Sequence, residues 1–160
     1  MRKAALYGLA TCFALALLLG SSEPAQAQYR GYRGKILISQ KPVPTKQAQL
    51  KRWMRKDTTT KLASNKAGDK WTFNYVAVLR KTPSINVVNL VFYEYRGGRY
   101  KYINAEDIKL SGEATHIIGK GKMHKILGFK RGKKYQVRIT VRNNRGNEIW
   151  YAKSRLILLK

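Results

Sequence analysis

The chain has 160 residues, of which 33 are Lys or Arg and 8 are Asp or Glu, so its formal net charge at pH 7 is +25. This length suits one compact domain behind a removable leader, and the charge argues against a protein that binds cations or basic peptides. Hydrophobic residues make up 44% of the chain, which is enough for a folded core and argues against disorder.

The first 27 residues are predicted to be a signal peptide. Arg2 and Lys3 form its positive start, residues 4–19 are almost wholly apolar, and residues 25–27 (AQA) suit a signal peptidase. The apolar stretch is shorter than the roughly 20 residues that a membrane-spanning helix needs. We therefore expect cleavage after residue 27 and export to the periplasm, the cell surface or the extracellular space. The mature chain would have 133 residues and a net charge of +24.

Cys12, the only cysteine, lies within this leader. Lipid attachment at Cys12 would leave too few apolar residues before it, and Gly20 and Pro24 argue against an uncleaved anchor, so both alternatives are disfavoured. The mature chain then has no cysteine and cannot form disulfides, although an exported location permits them. Its stability is expected to come from core burial alone.

Residues 28–34 (QYRGYRG) are predicted to form a flexible basic arm before a single domain over residues 35–160. Residues 35–40 are predicted to form a strand, which two prolines end. A short helix is expected next, capped by Thr45 and ending near Lys56. Its buried face has the spacing i, i+3 and i+4 and consists of Leu50, Trp53 and Met54.

From Trp71 the hydrophobic residues recur at every second position, which is typical of strands. Residues 71–79 are therefore a predicted strand, with Trp71 as a structural core residue. Residues 85–95 and 100–105 are predicted to form a hairpin around the Gly97-Gly98 turn. This register pairs Tyr95 with Tyr100, Tyr93 with Tyr102, Glu94 with Lys101 and Arg96 with Arg99.

Weaker strand signals, separated by glycines, occur near residues 107–110, 115–118 and 123–127. Residues 119–122 (GKGK) are interpreted as a flexible glycine turn on a basic surface, which is favoured over an anion-binding nest. The last two strands are clearer, because residues 135–141 and 148–159 flank a turn at 143–147. This hairpin is expected to pair Val141 with Trp150.

Turn-separated strands with one short helix predict an antiparallel sandwich or a small barrel. In residues 129–141 an apolar residue, a glycine turn and then Tyr135 precede an alternating strand. This segment resembles the tyrosine corner of immunoglobulin-like and fibronectin type III-like domains, in which the tyrosine hydroxyl bonds to nearby backbone. The resemblance implies a mostly β, antiparallel immunoglobulin/fibronectin-III-like β-sandwich with one short N-terminal helix. The Cys–Trp–Cys pattern of antibody domains is absent, and such a fold implies no particular function.

The sequence contains no recognisable catalytic constellation. There is no G-x-S-x-G, no H-E-x-x-H and no cysteine nucleophile, and the adjacent Glu106 and Asp107 would point to opposite faces of a strand. A metal site can be drawn from Glu106, Glu113, His116 and His124, but their spacing does not require one and the positive field repels cations. We expect a protein that is not an enzyme and that uses no cofactor and no metal.

Basic residues are the strongest functional signal. Seven fall within 15 positions: Lys120, Lys122, Lys125, Lys130, Arg131, Lys133 and Lys134. Others are expected on the outward face of the final hairpin or beside the Gly97-Gly98 turn: Arg138, Arg142, Lys153, Arg155, Arg96 and Arg99. Together these cations predict contact with a polyanion rather than the reading of a nucleic-acid sequence.

The four hairpin tyrosines share one face and suit either stacking of sugars or bases or simple packing, with packing favoured. The first functional hypothesis is an exported binding module that attaches to lipopolysaccharide, an acidic polysaccharide, nucleic acid or an anionic membrane surface. The second is a structural or assembly subunit that contacts envelope proteins through edge strands and the basic arm. Cationic membrane disruption ranks below both, because the basic helix is short.

Overall fold

The computed structural model describes residues 29–112 and 114–160. The predicted signal peptide lies outside these residues. Helix α1 spans Gln47–Lys56, and short 3-10 turns occur at Arg30–Tyr32 and Lys125–Leu127. In the described residues nine strands, β1 to β9 in chain order, span Lys35–Ser39, Lys61–Leu62, Lys70–Val78, Val87–Arg96, Arg99–Lys109, His116–His124, Lys134–Arg142, Glu148–Ser154 and Ile157–Leu159.

These nine strands form one mixed sheet in the described part of the chain, so the fold is mostly β with one helix, as predicted. Neighbours follow the order β2-β9-β7-β8-β1-β3-β6, while β4 lies on the other edge of β7 and β5 lies beyond β4. The predicted all-antiparallel arrangement is wrong, because β1 runs parallel to β8 and β2 parallel to β9. A hairpin produces only antiparallel neighbours, whereas these partners are joined by long stretches of intervening chain.

The sheet curves around the main hydrophobic core. Phe73 of β3 and Phe92 of β4 have ring centroids 6.4 Å apart although their strands are not hydrogen-bonded neighbours. The alternating residues of β3 point into this core as predicted, and Trp71 is fully buried with its indole N–H donating to the Lys160 carbonyl at 2.8 Å. Phe73 and Phe92 both face this core because each lies among the alternating apolar residues of its strand, as the period of two in the sequence predicts.

Helix α1 packs on the outer side of β3. Its predicted face of Leu50, Trp53 and Met54 is buried against Val76 and Val78, and Tyr29 completes the same cluster. The predicted Thr45 cap is wrong. Lys46 occupies the N-cap without a side-chain hydrogen bond, because the helix begins at Gln47 and a capping oxygen must directly precede the first helical residue.

The predicted turn at residues 119–122 is also wrong. These residues lie in the middle of β6, which pairs with β3 along its whole length. Gly121 faces Phe73 and Gly119 faces Tyr75, and a Cβ at these positions would lie 2.2 Å and 2.6 Å from the respective rings. The glycines therefore make room for two aromatic side chains rather than a turn.

Hairpin registers agree with prediction in one case and differ in the other. The four predicted pairs of the β4–β5 hairpin are confirmed, with Ile103 as an extra residue in β5. In the final hairpin Val141 pairs with Ile149 instead of Trp150, because the register shifts between Ile139 and Thr140. An irregularity of this kind bends and twists the strand and is hard to recognise from sequence.

Tyr135 at the start of β7 is fully buried, and its hydroxyl accepts a hydrogen bond from the backbone N–H of Lys130 at 2.8 Å. This contact joins β7 to the loop that precedes it. It is the side-chain to backbone bond expected for Tyr135.

Candidate polyanion-binding surface

The strand pairings divide the predicted cations into two groups. Lys134 pairs with Tyr95, next to the Arg96–Arg99 pair that closes the β4–β5 hairpin. The loop before β7 therefore lies at the same end of the sheet as this hairpin tip. The first group comprises Arg96, Arg99, Lys130, Arg131, Lys133 and Lys134, all exposed.

The other predicted cations lie along the strands or at their ends. Lys120 and Lys122 are exposed on the outward side of β6, Lys125 follows at its end, and Arg155 is exposed between β8 and β9. Arg138 and Arg142 project from β7, where Arg138 pairs with Lys153 of β8 and Arg142 pairs with Glu148. The structure therefore places Arg138 beside Lys153 on the neighbouring strand, whereas Arg142 lies at the other end of the β7–β8 pairing.

Cations and aromatic rings alternate across the outer side of β5, β4, β7 and β8. The Arg138 guanidinium carbon lies 4.4 Å from the Tyr93 ring centroid and 4.6 Å from that of Tyr100. On the neighbouring strand, Lys153 Nζ lies 4.8 Å from the Trp150 ring centroid, and Arg80 stacks on the same ring at 4.2 Å. We call this surface the aromatic–cationic face: Tyr93, Tyr95, Tyr100, Tyr102, Lys134, Arg138, Trp150, Lys153 and Arg80.

The tyrosines of this face pack against one another, as the favoured interpretation predicts. Tyr93 makes edge-on contacts with Tyr100 and Tyr102, at centroid distances of 6.5 Å and 6.3 Å. Tyr100 and Tyr102 nevertheless remain 43% and 52% exposed. The outer two rings are therefore accessible to a ligand, while Tyr93 supports them from below.

Among the described residues, Glu148 is the carboxylate that contacts both Arg138 and the Tyr93 hydroxyl of this face. Glu148 accepts a hydrogen bond from the Tyr93 hydroxyl, and its other oxygen lies 3.6 Å from Arg138 Nη1. Burial raises the pKa of Tyr93 well above its ordinary value, and the neighbouring Glu148 carboxylate raises it further. The hydroxyl therefore stays protonated and acts as a donor at physiological pH.

Acidic neighbours neutralise few of the candidate cations. Arg138 is paired with Glu148, and Arg96 lies 3.5 Å from Glu94. Within the described residues, no Asp or Glu side chain forms an ion pair with Lys134, Lys153 or Arg80. A stacked guanidinium uses its flat side on the ring, so its in-plane N–H groups stay available for carboxylate or phosphate.

Sequence reasoning missed Arg80 and Trp150 as members of this surface. Arg80 lies just beyond β3 and Trp150 lies in β8, so they meet only in the folded chain. The basic residues in the loop before β7 are recognisable from sequence because they lie close together in the chain. A stacked Arg–Trp pair leaves no such local signal.

Candidate metal ligands are not brought together. His116 and His124 occupy opposite ends of β6 and pair with opposite ends of β3. The described residues contain no cluster of three or more His, Cys, Asp or Glu side chains suited to a metal ion.

In residues 29–112 and 114–160, no helix combines the length and apolar character needed to span a bilayer.

Comparisons with protein-family models, with curated proteins and with solved structures gave no match.

Proposed function

We propose that this protein is an exported, non-enzymatic binding module that attaches electrostatically to an anionic envelope or extracellular polymer. The class of partner includes lipopolysaccharide, acidic polysaccharide, nucleic acid and an anionic membrane surface. One observation carries the proposal: cations held by aromatic rings lie in a row on one face, mostly without acidic partners. Because the rings already restrict these cationic side chains in the free protein, less side-chain entropy is lost on binding, which favours affinity.

We further propose that the scaffold is an immunoglobulin/fibronectin-III-like sandwich. Antiparallel pairings join β1, β3 and β6 to one another and β5, β4, β7 and β8 to one another, and among the described strands the parallel β1–β8 pair links these two groups. The Phe73–Phe92 contact across the core and the Tyr135 hydroxyl bond to Lys130 support this scaffold. In this arrangement the aromatic–cationic face, apart from Arg80, is the outer surface of the second group of strands.

The proposal is tested by retention of the purified protein on immobilised lipopolysaccharide, acidic polysaccharide, single-stranded and duplex DNA, and anionic vesicles. We expect retention on at least one polymer at near-physiological salt. The logarithm of the binding constant should fall linearly with the logarithm of salt concentration, because bound counterions are released. Retention on none of them, or affinity that does not change with salt, would contradict the proposal.

Two matched variants locate the interaction. The double variant Lys134→Gln with Lys153→Gln removes two cations from the aromatic–cationic face, whereas Lys51→Gln with Arg52→Gln removes two from the exposed side of α1. We expect the first to weaken polymer binding about tenfold at low salt and the second to leave it nearly unchanged. Equal loss in both would show that net charge alone attracts the polymer.

A second candidate function, an assembly subunit that contacts envelope proteins, is favoured by exposed apolar residues near one sheet edge. β6 ends the described sheet, and Ile118 within it and Ile126 just after it are 50% and 87% exposed. Exposed apolar residues beside an edge strand suit pairing with another chain. Size-exclusion chromatography of native extract tests this function, since an assembly subunit would elute in a stoichiometric complex that survives high salt and a purely electrostatic binder would not.

A further inference from the structure

A pocket of about 380 Å³ opens beside the aromatic–cationic face, at the end of β3. Three separate chain segments meet there: the 3-10 turn at Arg30–Tyr32, the residues just after β3, and Thr115 before β6. A hydrogen bond from the Gly34 N–H to the Val78 carbonyl, 2.8 Å long, attaches the first segment to β3. The volume falls within the range of roughly 300–1,000 Å³ typical of small-molecule sites.

The polar lining of this pocket is cationic. It consists of Arg30, Arg33, Arg80, Lys81, Thr82 and Thr115. None of the described residues that line it is acidic. Four cations and two hydroxyls without a carboxylate favour an anion strongly over a neutral or cationic ligand.

The structure holds two of these cations in place. Arg33 donates from Nε to the Arg80 carbonyl at 2.7 Å, which holds its guanidinium beside the Arg80 backbone. Arg80 passes between Gly34 and the Trp150 ring, and a Cβ at Gly34 would lie 2.7 Å from Arg80 Cγ. Gly34 also has a φ of 77°, so both its conformation and the lack of a side chain suit this close approach.

The remaining lining is apolar and comes from Tyr29, Val78 and Leu79. Guanidinium groups and hydroxyls together match the several oxygens of a phosphate group, whereas a carboxylate offers only two. The pocket is larger than one phosphate needs, and its apolar wall provides a surface on which a sugar ring packs. These features select one ligand chemistry.

We propose that this pocket binds a phosphate group carried on a sugar. The inference rests on the proposed function for the source of this group, which would be a phosphate-bearing saccharide unit of the anionic polymer. The aromatic–cationic face would hold the neighbouring part of the chain, because Arg80 belongs to both surfaces. The pocket would thus add recognition of a specific unit to a mainly electrostatic attachment.

Isothermal titration of the purified protein with glucose 1-phosphate, glucose, glucuronate and inorganic phosphate tests the inference. We expect one glucose 1-phosphate per chain, weaker binding of inorganic phosphate and glucuronate, and none of glucose. The double variant Arg30→Gln with Lys81→Gln should lose about tenfold in affinity for glucose 1-phosphate, while Lys51→Gln with Arg52→Gln should retain it. Glucuronate that binds as tightly as glucose 1-phosphate, or a pocket variant that binds normally, would overturn the inference.

A second arm identifies the source of the phosphate. Lipopolysaccharide core oligosaccharide is titrated before and after phosphatase treatment, and binding should depend on its phosphates and on Arg30 and Lys81. One outcome would refute the pocket alone. In it, polymer retention is lost in the Lys134→Gln, Lys153→Gln variant and unaffected in the pocket variant, and the protein binds no sugar phosphate. Sugar phosphate bound in the pocket without retention on any polymer would refute the attachment function instead.

Discussion

At the scale of single residues, two glycines determine how closely two aromatic rings approach β6. Gly119 and Gly121 face Tyr75 and Phe73, which are both nearly fully buried on the neighbouring strand. Lys120 and Lys122 alternate with them on the outward side. This segment of β6 therefore leaves space for aromatic core side chains on its inner side and presents lysines on its outer side.

Gly121→Ala is expected to lower the free energy of unfolding by about 1–3 kcal/mol, because the Phe73 ring must move in a packed core. Urea denaturation measures the change. Gly31→Ala is the control, since a Cβ there meets nothing within 4 Å and the change should leave stability within about 0.5 kcal/mol. A Gly121→Ala variant as stable as the parent chain would contradict the spatial role of this glycine.

Sequence did not predict this role because a glycine serves turns and close contacts equally well. Which use applies depends on the residue opposite, and the pairing of Gly121 with Phe73 joins strands about 50 positions apart in the chain. By contrast, the burial of Tyr135 and its bond to Lys130 follow from a motif within residues 129–141, which is visible locally.

At the scale of elements, the helix and the β4–β5 hairpin follow from local patterns. The buried face of α1 has helical spacing, and the hairpin register follows from a two-residue glycine turn. The parallel β1–β8 pair is determined by residues far apart in sequence, and the shift in register between Ile139 and Thr140 arises from irregular backbone. Periodicity carries no information about either.

Trp53→Ala is expected to reduce the free energy of unfolding by about 3–5 kcal/mol, because it removes buried apolar surface and leaves a cavity between α1 and β3. Lys51→Ala on the exposed side of the same helix should change it by less than about 0.5 kcal/mol. Both are measured by urea denaturation at equal salt. Similar small effects of the two substitutions would show that docking of the helix contributes little to stability.

At the scale of the whole molecule, the excess of positive charge was evident from composition, but its arrangement was not. The pocket that we propose to bind a sugar phosphate joins residues near positions 30, 80 and 115, and none of these segments has a distinctive sequence by itself. The lysines of residues 120–134, which are conspicuous in sequence, are spread along β6 and around the loop before β7. Spatial proximity of charges depends on topology, which composition does not contain.

The unbalanced charge should also make stability depend on salt. We expect the thermal midpoint at pH 7 to rise by about 4 °C between 20 and 300 mM NaCl, because the ions screen repulsion among like charges. Calorimetry or circular dichroism measures the shift. Acetylation of the lysines removes their charges and should reduce the rise, whereas a midpoint that is insensitive to salt would show that the cations are too far apart to repel one another.

The pairing of β1 has a consequence for the order of folding. One edge of β1 is hydrogen-bonded to β3, which follows soon after it in the chain, and the other edge to β8, which follows much later. A chain emerging from the ribosome with its N-terminus first must therefore leave one edge of β1 unpaired until β8 has been made. During that interval the backbone N–H and C=O groups of this edge are open to any other strand that reaches them.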